Sequence, residues 1–183
     1  MYKKFEYFLN AVHYCIYKEE IWSTRIIEKG VLGLFHGLSI LLHLESFYQR
    51  KMEERRKNKD LHEFMYGDTW GESIGFANHW FGYLYSGYPA FLSFVLIGLY
   101  FRYYEGMNYV IVLVIASIPI GFCYIPAYRA VFTKDRYLKY FKQFEKEDER
   151  WHKKWKTITI LFCIGSCVTT LLGIVAAFFV LLH

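Results

Sequence analysis

The chain alternates between long apolar runs and polar segments that are rich in aromatic residues. Three of the runs, at residues 76–101, 107–128 and 157–182, contain no Asp, Glu, Lys or Arg. Each has at least the roughly 20 residues that an α-helix needs to cross a bilayer core of about 30 Å. The pattern predicts an all-α integral membrane protein with about three transmembrane helices and a cytosolic helical region.

Two of these runs carry further signals. The run at 76–101 contains the sequence SGYP, which ends in Pro89. Because proline lacks a backbone donor, we expect it to kink or break the helix, which could divide the run into a short re-entrant piece and a true span. The run at 157–182 follows the basic segment WHKKWK, whose tryptophans are typical of the membrane–water interface. The pattern therefore favours 157–182 most strongly as a span.

A fourth apolar run covers residues 31–44 and contains His36 and His43. It is shorter than a bilayer-crossing helix, so we do not expect it to span the membrane. His36, Ser39 and His43 would share one helical face, but they form neither an HxxxH motif nor a set with matching carboxylates. We expect these histidines to be buried and hydrogen-bonded rather than bound to a metal or haem.

The distribution of charge predicts the orientation. The chain has 22 Lys and Arg against 17 Asp and Glu. With three spans, every Lys and Arg except Arg102 lies on one side of the membrane, as the positive-inside rule requires of the cytosolic side. If residues 31–44 also crossed, the cations before them would move to the opposite side and the asymmetry would weaken. We therefore expect a cytosolic N-terminus and a C-terminus at the outer face.

This layout divides the chain into four parts. We expect a cytosolic helical region at residues 1–75, a transmembrane hairpin at 76–128, a cytosolic amphipathic helix at 129–156 and a C-terminal transmembrane helix at 157–183. The third part carries an aromatic stripe that should place it on a long helix running into the last span. Its lysines and arginines are interpreted as a solvated face, since the acidic cluster EKEDE would repel phosphate.

The first residues also show a helical pattern. Phe5, Leu9, Val12 and Ile16 recur at helical spacing, while Glu6 interrupts the apolar core that a signal peptide would need. We expect an amphipathic helix that either packs on the rest of the cytosolic region or lies on the membrane surface.

The last span carries a ladder of small residues. Gly165, Thr169, Gly173 and Ala177 repeat every four positions, a spacing that lets two helix backbones approach closely. The partner helix could belong to the same protomer or to another one. Because the three runs lack charged side chains, they offer no proton relay of the kind that pumps use. Conduction would then require a ring of protomers around a pore.

The chemistry-bearing residues exclude several classes of protein. The four cysteines form no CxxC pair, which weighs against a thiol oxidoreductase and leaves them as small apolar residues. We expect neither a metal site nor a cofactor.

One polar stretch carries a candidate catalytic motif. The sequence RRKNKDLH places Arg55 and Arg56 shortly before His62. In metal-independent RNA cleavage, an arginine neutralises the scissile phosphate and a histidine moves protons at the 2′-hydroxyl or the leaving oxygen, usually with two copies of the motif at a dimer interface. On one continuous helix, Arg55 and His62 would share a face, whereas Arg56 would point elsewhere.

This motif, in a short membrane protein with 17 Tyr and 17 Phe, resembles the small accessory membrane proteins encoded beside the RNA-guided RNase of type VI-B CRISPR systems. The resemblance rests on size, layout and the R-x(4–6)-H motif at Arg55 or Arg56 and His62. It implies a degenerate higher eukaryotic and prokaryotic nucleotide-binding (HEPN) helical domain, the bacterial inner membrane as location, and a role in antiphage defence with that RNase as functional partner. Lys57 stands where active motifs usually have Asn, Asp or His, so we expect a structural relic or a ligand contact.

Three functions are compatible with these features. The first is an oligomeric membrane pore or effector without enzyme activity, whose partners are the lipid bilayer and other copies of the chain. The second is a membrane-tethered, metal-independent ribonuclease of the HEPN type. The third is an unrelated small membrane immunity or adaptor protein.

Overall fold

The computed structural model describes residues 2–67, 71–104, 106 and 108–182. Its secondary structure there is helical and contains no strand, so the predicted all-α fold is confirmed. The helices are α1 (Tyr2–Leu41), α2 (Glu45–Lys57), α3 (Lys59–Tyr66), α4 (Glu72–Tyr103), α5 (Tyr109–Val131), α6 (Arg136–Phe144) and α7 (Glu149–Leu182), with a 3₁₀ turn at Thr133–Asp135 between α5 and α6.

Three helical segments are long and apolar enough to cross a membrane, as predicted. They are Glu72–Tyr103, Tyr109–Phe144 and Glu149–Leu182. Much of their apolar surface is exposed, which suits contact with lipid. The fourth run, residues 31–44, forms the end of α1 and the turn after it, and no fourth helix of this kind occurs among the described residues.

The predicted break at SGYP does not occur, because α4 continues through Pro89. Polar side chains of a neighbouring helix can satisfy backbone groups near a proline within a span. Here Thr170 Oγ1 donates to the Gly87 carbonyl oxygen at 3.1 Å. Tyr88, the residue before the proline, donates from its hydroxyl to the Phe162 carbonyl oxygen at 2.7 Å. These bonds from and to α7 support α4 where sequence alone predicted an interruption.

The chain forms two compact units. The span unit comprises Met1–Cys15 and His79–His183, and the hairpin unit comprises Ile16–Asn78. The beginning of α1 thus belongs with the long helices, whereas the sequence grouped it with the rest of residues 1–75. The physical reason is the apolar face of this segment, which includes Leu9, Val12 and Tyr14 and is fully or almost fully buried in the span unit.

The N-terminal segment packs on the end of α5, on α6 and on the beginning of α7. Asn10 Nδ2 donates to the Ala130 carbonyl oxygen at 3.1 Å, and Arg136 Nη1 lies 3.1 Å from Glu6 Oε2. Trp151 Nε1 donates to the Tyr7 hydroxyl at 2.9 Å. A buried aromatic cluster surrounds these contacts.

The predicted continuous helix at 129–156 is wrong. After α5, Lys134 and Asp135 adopt left-handed backbone conformations with φ of 57° and 50°, and a second break separates α6 from α7. Asp148 caps α7, because its Oδ1 accepts a hydrogen bond from the Trp151 amide at 2.8 Å. The break lets the two halves of the aromatic stripe pack together, with the Phe144 and Trp151 rings stacked 4.7 Å apart.

The tryptophans of WHKKWK pack against other aromatic side chains of the span unit. Trp155 is 9% exposed, and its ring centroid lies 5.7 Å from that of Tyr7 and 5.8 Å from that of Phe8. Lys153 and Lys154, in contrast, are exposed. Trp155 therefore packs the N-terminal segment against α7.

Candidate functional site

The motif Arg55, Arg56 and His62 lies across a helix break. The end of α2 holds both arginines, whereas His62 is in the first half of α3. Asn58 between them has φ −81° and ψ 94°, and its Oδ1 accepts a hydrogen bond from the Leu61 amide at 3.0 Å. The assumption of one continuous helix is therefore wrong. The physical reason is the preference of asparagine for the N-cap position.

The break nevertheless brings the three motif residues around one cavity of about 370 Å³. The remaining residues that line this motif cavity supply one carboxylate, one phenol, one amide and four apolar side chains: Glu28, Tyr66, Asn58, Leu32, Met52, Leu61 and Met65. The size lies at the lower end of the range for small-molecule pockets. Sequence reasoning placed Arg55 and His62 together for a wrong geometric reason, but the structure brings all three residues to the same cavity.

An internal carboxylate neutralises Arg55. Arg55 Nη2 lies 2.8 Å from Glu28 Oε1, and the Tyr66 hydroxyl donates to Glu28 Oε2. The Arg25 guanidinium lies 5.4 Å from the centroid of the Tyr66 ring. Partial burial, followed by the hydrogen bond to Glu28, raises the pKa of Tyr66 to about 12. Glu28 thus links α1 to α2 through Arg55 and to α3 through Tyr66.

Arg56 and His62 are more open. Both side chains are exposed at the rim of the cavity. Within the described part of the chain, no carboxylate lies at ion-pair distance from Arg56. The His62 ring centroid lies 5.1 Å from that of Tyr66. Arg56 could therefore neutralise a phosphate and His62 could move a proton, but Arg55 would first have to leave Glu28 to contribute its charge.

The other described histidines are not part of a cluster of possible metal ligands. Over residues 2–67, 71–104, 106 and 108–182, no group of three or more His, Cys, Asp or Glu is placed to bind an ion. His36 is half-buried beside the Tyr48 ring, whereas His43 is exposed in the turn after α1, so its predicted burial is wrong. His13, to which the sequence assigned no role, is fully buried among aromatic rings of the span unit, including Phe81 and Phe141.

The small-residue ladder of α7 packs on α4 within the protomer. A Cβ added at Gly173 would lie 2.7 Å from the Phe91 Cα, and one added at Gly165 would lie 2.8 Å from the Tyr88 hydroxyl. Opposite Ala177, a Cβ added at Gly98 would lie 2.7 Å from the Ala177 carbonyl oxygen. Thr169, the remaining member, is half-buried. The sequence allowed the ladder to pack on a helix of the same protomer or of another one. The structure shows packing on a helix of the same protomer.

An exposed groove on α5 was missed in the sequence. It has a volume of about 580 Å³ and is lined by Val110, Leu113, Val114, Ser117, Ile118, Gly121, Phe122 and Ile125. A Cβ added at Gly121 would have no atom within 4 Å. The available signal was the pair Ser117 and Gly121, two small residues four positions apart within an apolar run. We call this surface the α5 groove.

Comparisons with models of protein families, with curated proteins and with solved structures find no match to this chain.

Proposed function

We propose that this chain is a membrane effector that self-assembles in the bacterial inner membrane and perturbs it as an oligomeric pore. The observation that carries the proposal is the set of three long apolar helices, whose runs lack Asp, Glu, Lys and Arg and whose outer faces are exposed. Such helices supply no relay of their own through the bilayer. They are suited to surrounding a pore as a ring of protomers.

The α5 groove supports self-assembly. Since the ladder on α7 is used against α4, contact between protomers needs another surface. Small residues in a span allow a second helix to approach closely, and Ser117 and Gly121 leave such a space on the outside of the span unit. A helix from a second copy would fill this groove with apolar contacts.

The distribution of cations supports a cytosolic N-terminus. All Lys and Arg except Arg102 fall on one side of a three-span topology. The N-terminal segment packs on α6 and on the beginning of α7, which carry many of these cations, so its place in the span unit agrees with that topology. By the resemblance described above, the effector would strengthen the defence provided by an RNA-guided RNase of type VI-B.

The experiment that tests the proposal measures membrane potential with a voltage-sensitive dye in cells that contain the chain, the activated RNase and its phage target. Removal of α7 is unsuitable, because it would strip Trp155 and Phe162 from the N-terminal segment. Gly121→Leu fills the α5 groove instead. Val175→Phe, also exposed but on α7, adds the same number of heavy atoms elsewhere and is the matched control.

We expect the native chain and Val175→Phe to depolarise the cells, whereas Gly121→Leu does not. In detergent, the first two should form a ring larger than a dimer and Gly121→Leu should form a smaller species. Defence that is still enhanced by the native chain at an unchanged potential would refute the pore. An intact ring and normal depolarisation with Gly121→Leu would show that protomers meet through another surface.

The motif cavity favours a second candidate, the membrane-tethered ribonuclease. Arg56 would neutralise the phosphate while His62 moves a proton as the 2′-hydroxyl attacks and the 5′-oxygen leaves. This candidate predicts RNA cleavage by the purified chain without metal, lost in His62→Ala and in Arg56→Ala. An adaptor or immunity protein predicts neither cleavage nor depolarisation.

A further inference from the structure

The hairpin unit carries a charge-free apolar segment outside the three spans. Between Lys29 and Glu45 there is no Asp, Glu, Lys or Arg. These residues form the last part of α1 and the turn to α2. The helical part of this segment, residues 30–41, extends about 18 Å at 1.5 Å per residue, which is too short to cross a bilayer core of about 30 Å.

Contacts between α1 and α2 hold this segment as the tip of an antiparallel helical hairpin. The Tyr48 hydroxyl donates to the Leu32 carbonyl oxygen at 3.0 Å, and the Tyr48 ring lies 5.4 Å from that of His36. Further from the turn, Arg55 pairs with Glu28. Residues further along α2 thus pair with residues further back along α1. The two helices are antiparallel, and the turn between them is the free end of the hairpin.

The tip exposes large apolar side chains on several sides. Leu41 is 75% exposed and Leu42 is 61% exposed, and five neighbours are about half exposed or more: Leu34, Phe35, Leu38, Ile40 and Leu44. At 100° per residue, Leu38 and Ile40 point about 160° apart around α1, and Leu41 points between them. A folded partner would cover one face of such a helix, whereas lipid chains can surround it.

We propose that the tip of the α1–α2 hairpin inserts into one leaflet of the bilayer and is covered by lipid acyl chains. Helices of this kind bury their apolar part about 5–10 Å into the boundary between headgroups and acyl chains. The hairpin then returns to water through α2, which contains no buried residue. Residues 31–44 thus contact the membrane without crossing it.

One cation beside the tip suits the phosphates of lipid headgroups. Arg50 is the first cation after the tip, and its guanidinium lies 5.6 Å from the centroid of the Phe47 ring. Phe47 is itself 51% exposed, so Phe47 and Arg50 combine an apolar surface with a cation. An aromatic ring in the acyl boundary with an arginine at the phosphate level is an arrangement that interfacial segments use. The occupant is therefore one leaflet of a phospholipid bilayer, whose phosphates suit Arg50.

The proposal is tested with the full chain in vesicles of phosphatidylcholine and phosphatidylglycerol. A nitroxide is placed by Leu42→Cys, and the matched control is Glu53→Cys on the exposed surface of α2. The four native cysteines form no disulfide, and they are replaced by alanine in both proteins. Electron paramagnetic resonance then compares the collision rates of each label with oxygen, which partitions into lipid, and with a water-soluble nickel chelate.

We expect the label at position 42 to collide several-fold more with oxygen than with nickel, and the label at position 53 to show the reverse. Frequent nickel collisions at both positions would overturn the proposal, since the tip would then be in water. Low accessibility to both reagents together with spin–spin broadening would also overturn it, because a second copy would then cover the tip.

A second variant distinguishes a loss of membrane insertion from unfolding of the protein. Leu41→Asp in the labelled protein should raise nickel collisions at position 42 while circular dichroism remains unchanged. An unchanged nickel rate in this variant would contradict insertion. None of these readouts depends on membrane potential, so the hairpin proposal can fail while the pore proposal stands, and the reverse.

Discussion

Substituting the ladder glycine Gly173 with alanine tests the close packing of α7 on α4. The added Cβ would lie 2.7 Å from the Phe91 Cα, 3.3 Å from its carbonyl oxygen and 3.3 Å from Phe94 Cδ2. Two of these atoms are backbone and cannot rotate away, so the two helices must separate. The matched control is Gly121→Ala, whose Cβ would meet no atom within 4 Å.

The magnitude follows from the difference between the two variants. Alanine favours a helix over glycine by about 1 kcal/mol, and this term is common to both. Overpacking at Gly173 opposes it by about 1–3 kcal/mol. The equilibrium constants for unfolding should therefore differ by about 5- to 140-fold, with Gly173→Ala the less stable variant.

The assay is unfolding in mixed micelles of dodecyl maltoside and sodium dodecyl sulfate, followed by circular dichroism, with particle mass measured in parallel by light scattering. Equal stability of the two variants would refute the packing argument. If Gly173→Ala lost oligomers without losing protomer stability, the ladder would lie between protomers and the assignment to α4 would be wrong.

Two further predictions concern the hairpin unit and the cap of α7. The pKa of Tyr66 is raised from 10 to about 12, so its contribution to stability is complete below pH 10 and is lost as the pH rises through 12. Tyr66→Phe should therefore lose less stability between pH 10 and pH 12 than the native chain does. Glu28→Gln should lower the pKa of Tyr66 in a near-ultraviolet titration; an unchanged pKa would mean that Glu28 does not hold the phenol. Asp148→Ala removes the acceptor for the Trp151 amide and should cost about 0.5–2 kcal/mol in the micelle assay, whereas an equally stable variant would show that this cap is dispensable.

The three spans could be predicted from sequence because the absence of charge over 20 or more residues is a local property. Where helices end depends on competing local and distant contacts. Asn58 and Asp148 end or begin helices through single side-chain caps that a periodic pattern does not reveal. At Pro89 the sequence predicted a break that the structure does not have. Thr170, which supports α4 there, is more than 80 positions away in the chain, so a local pattern does not include it.

The motif cavity could be predicted only in part. Arg55, Arg56 and His62 are close in sequence, so a short motif captures them. Glu28 is 27 positions from Arg55 and shares no pattern with it. Its carboxylate nevertheless determines how much positive charge Arg55 presents to a ligand. The sequence therefore identified the side chains that could contact a phosphate. It missed Glu28, which neutralises Arg55.

The contact of the N-terminal segment with α7 has a consequence for biosynthesis. Tyr7 and Trp151 are 144 positions apart. At 5–20 residues per second, their synthesis is separated by roughly 7 to 29 s. During this interval the apolar face of the first helix meets lipid, water or a chaperone instead of its final neighbours. The span unit can close only after the ribosome has made the beginning of the last helix, so the two ends of the chain complete folding together.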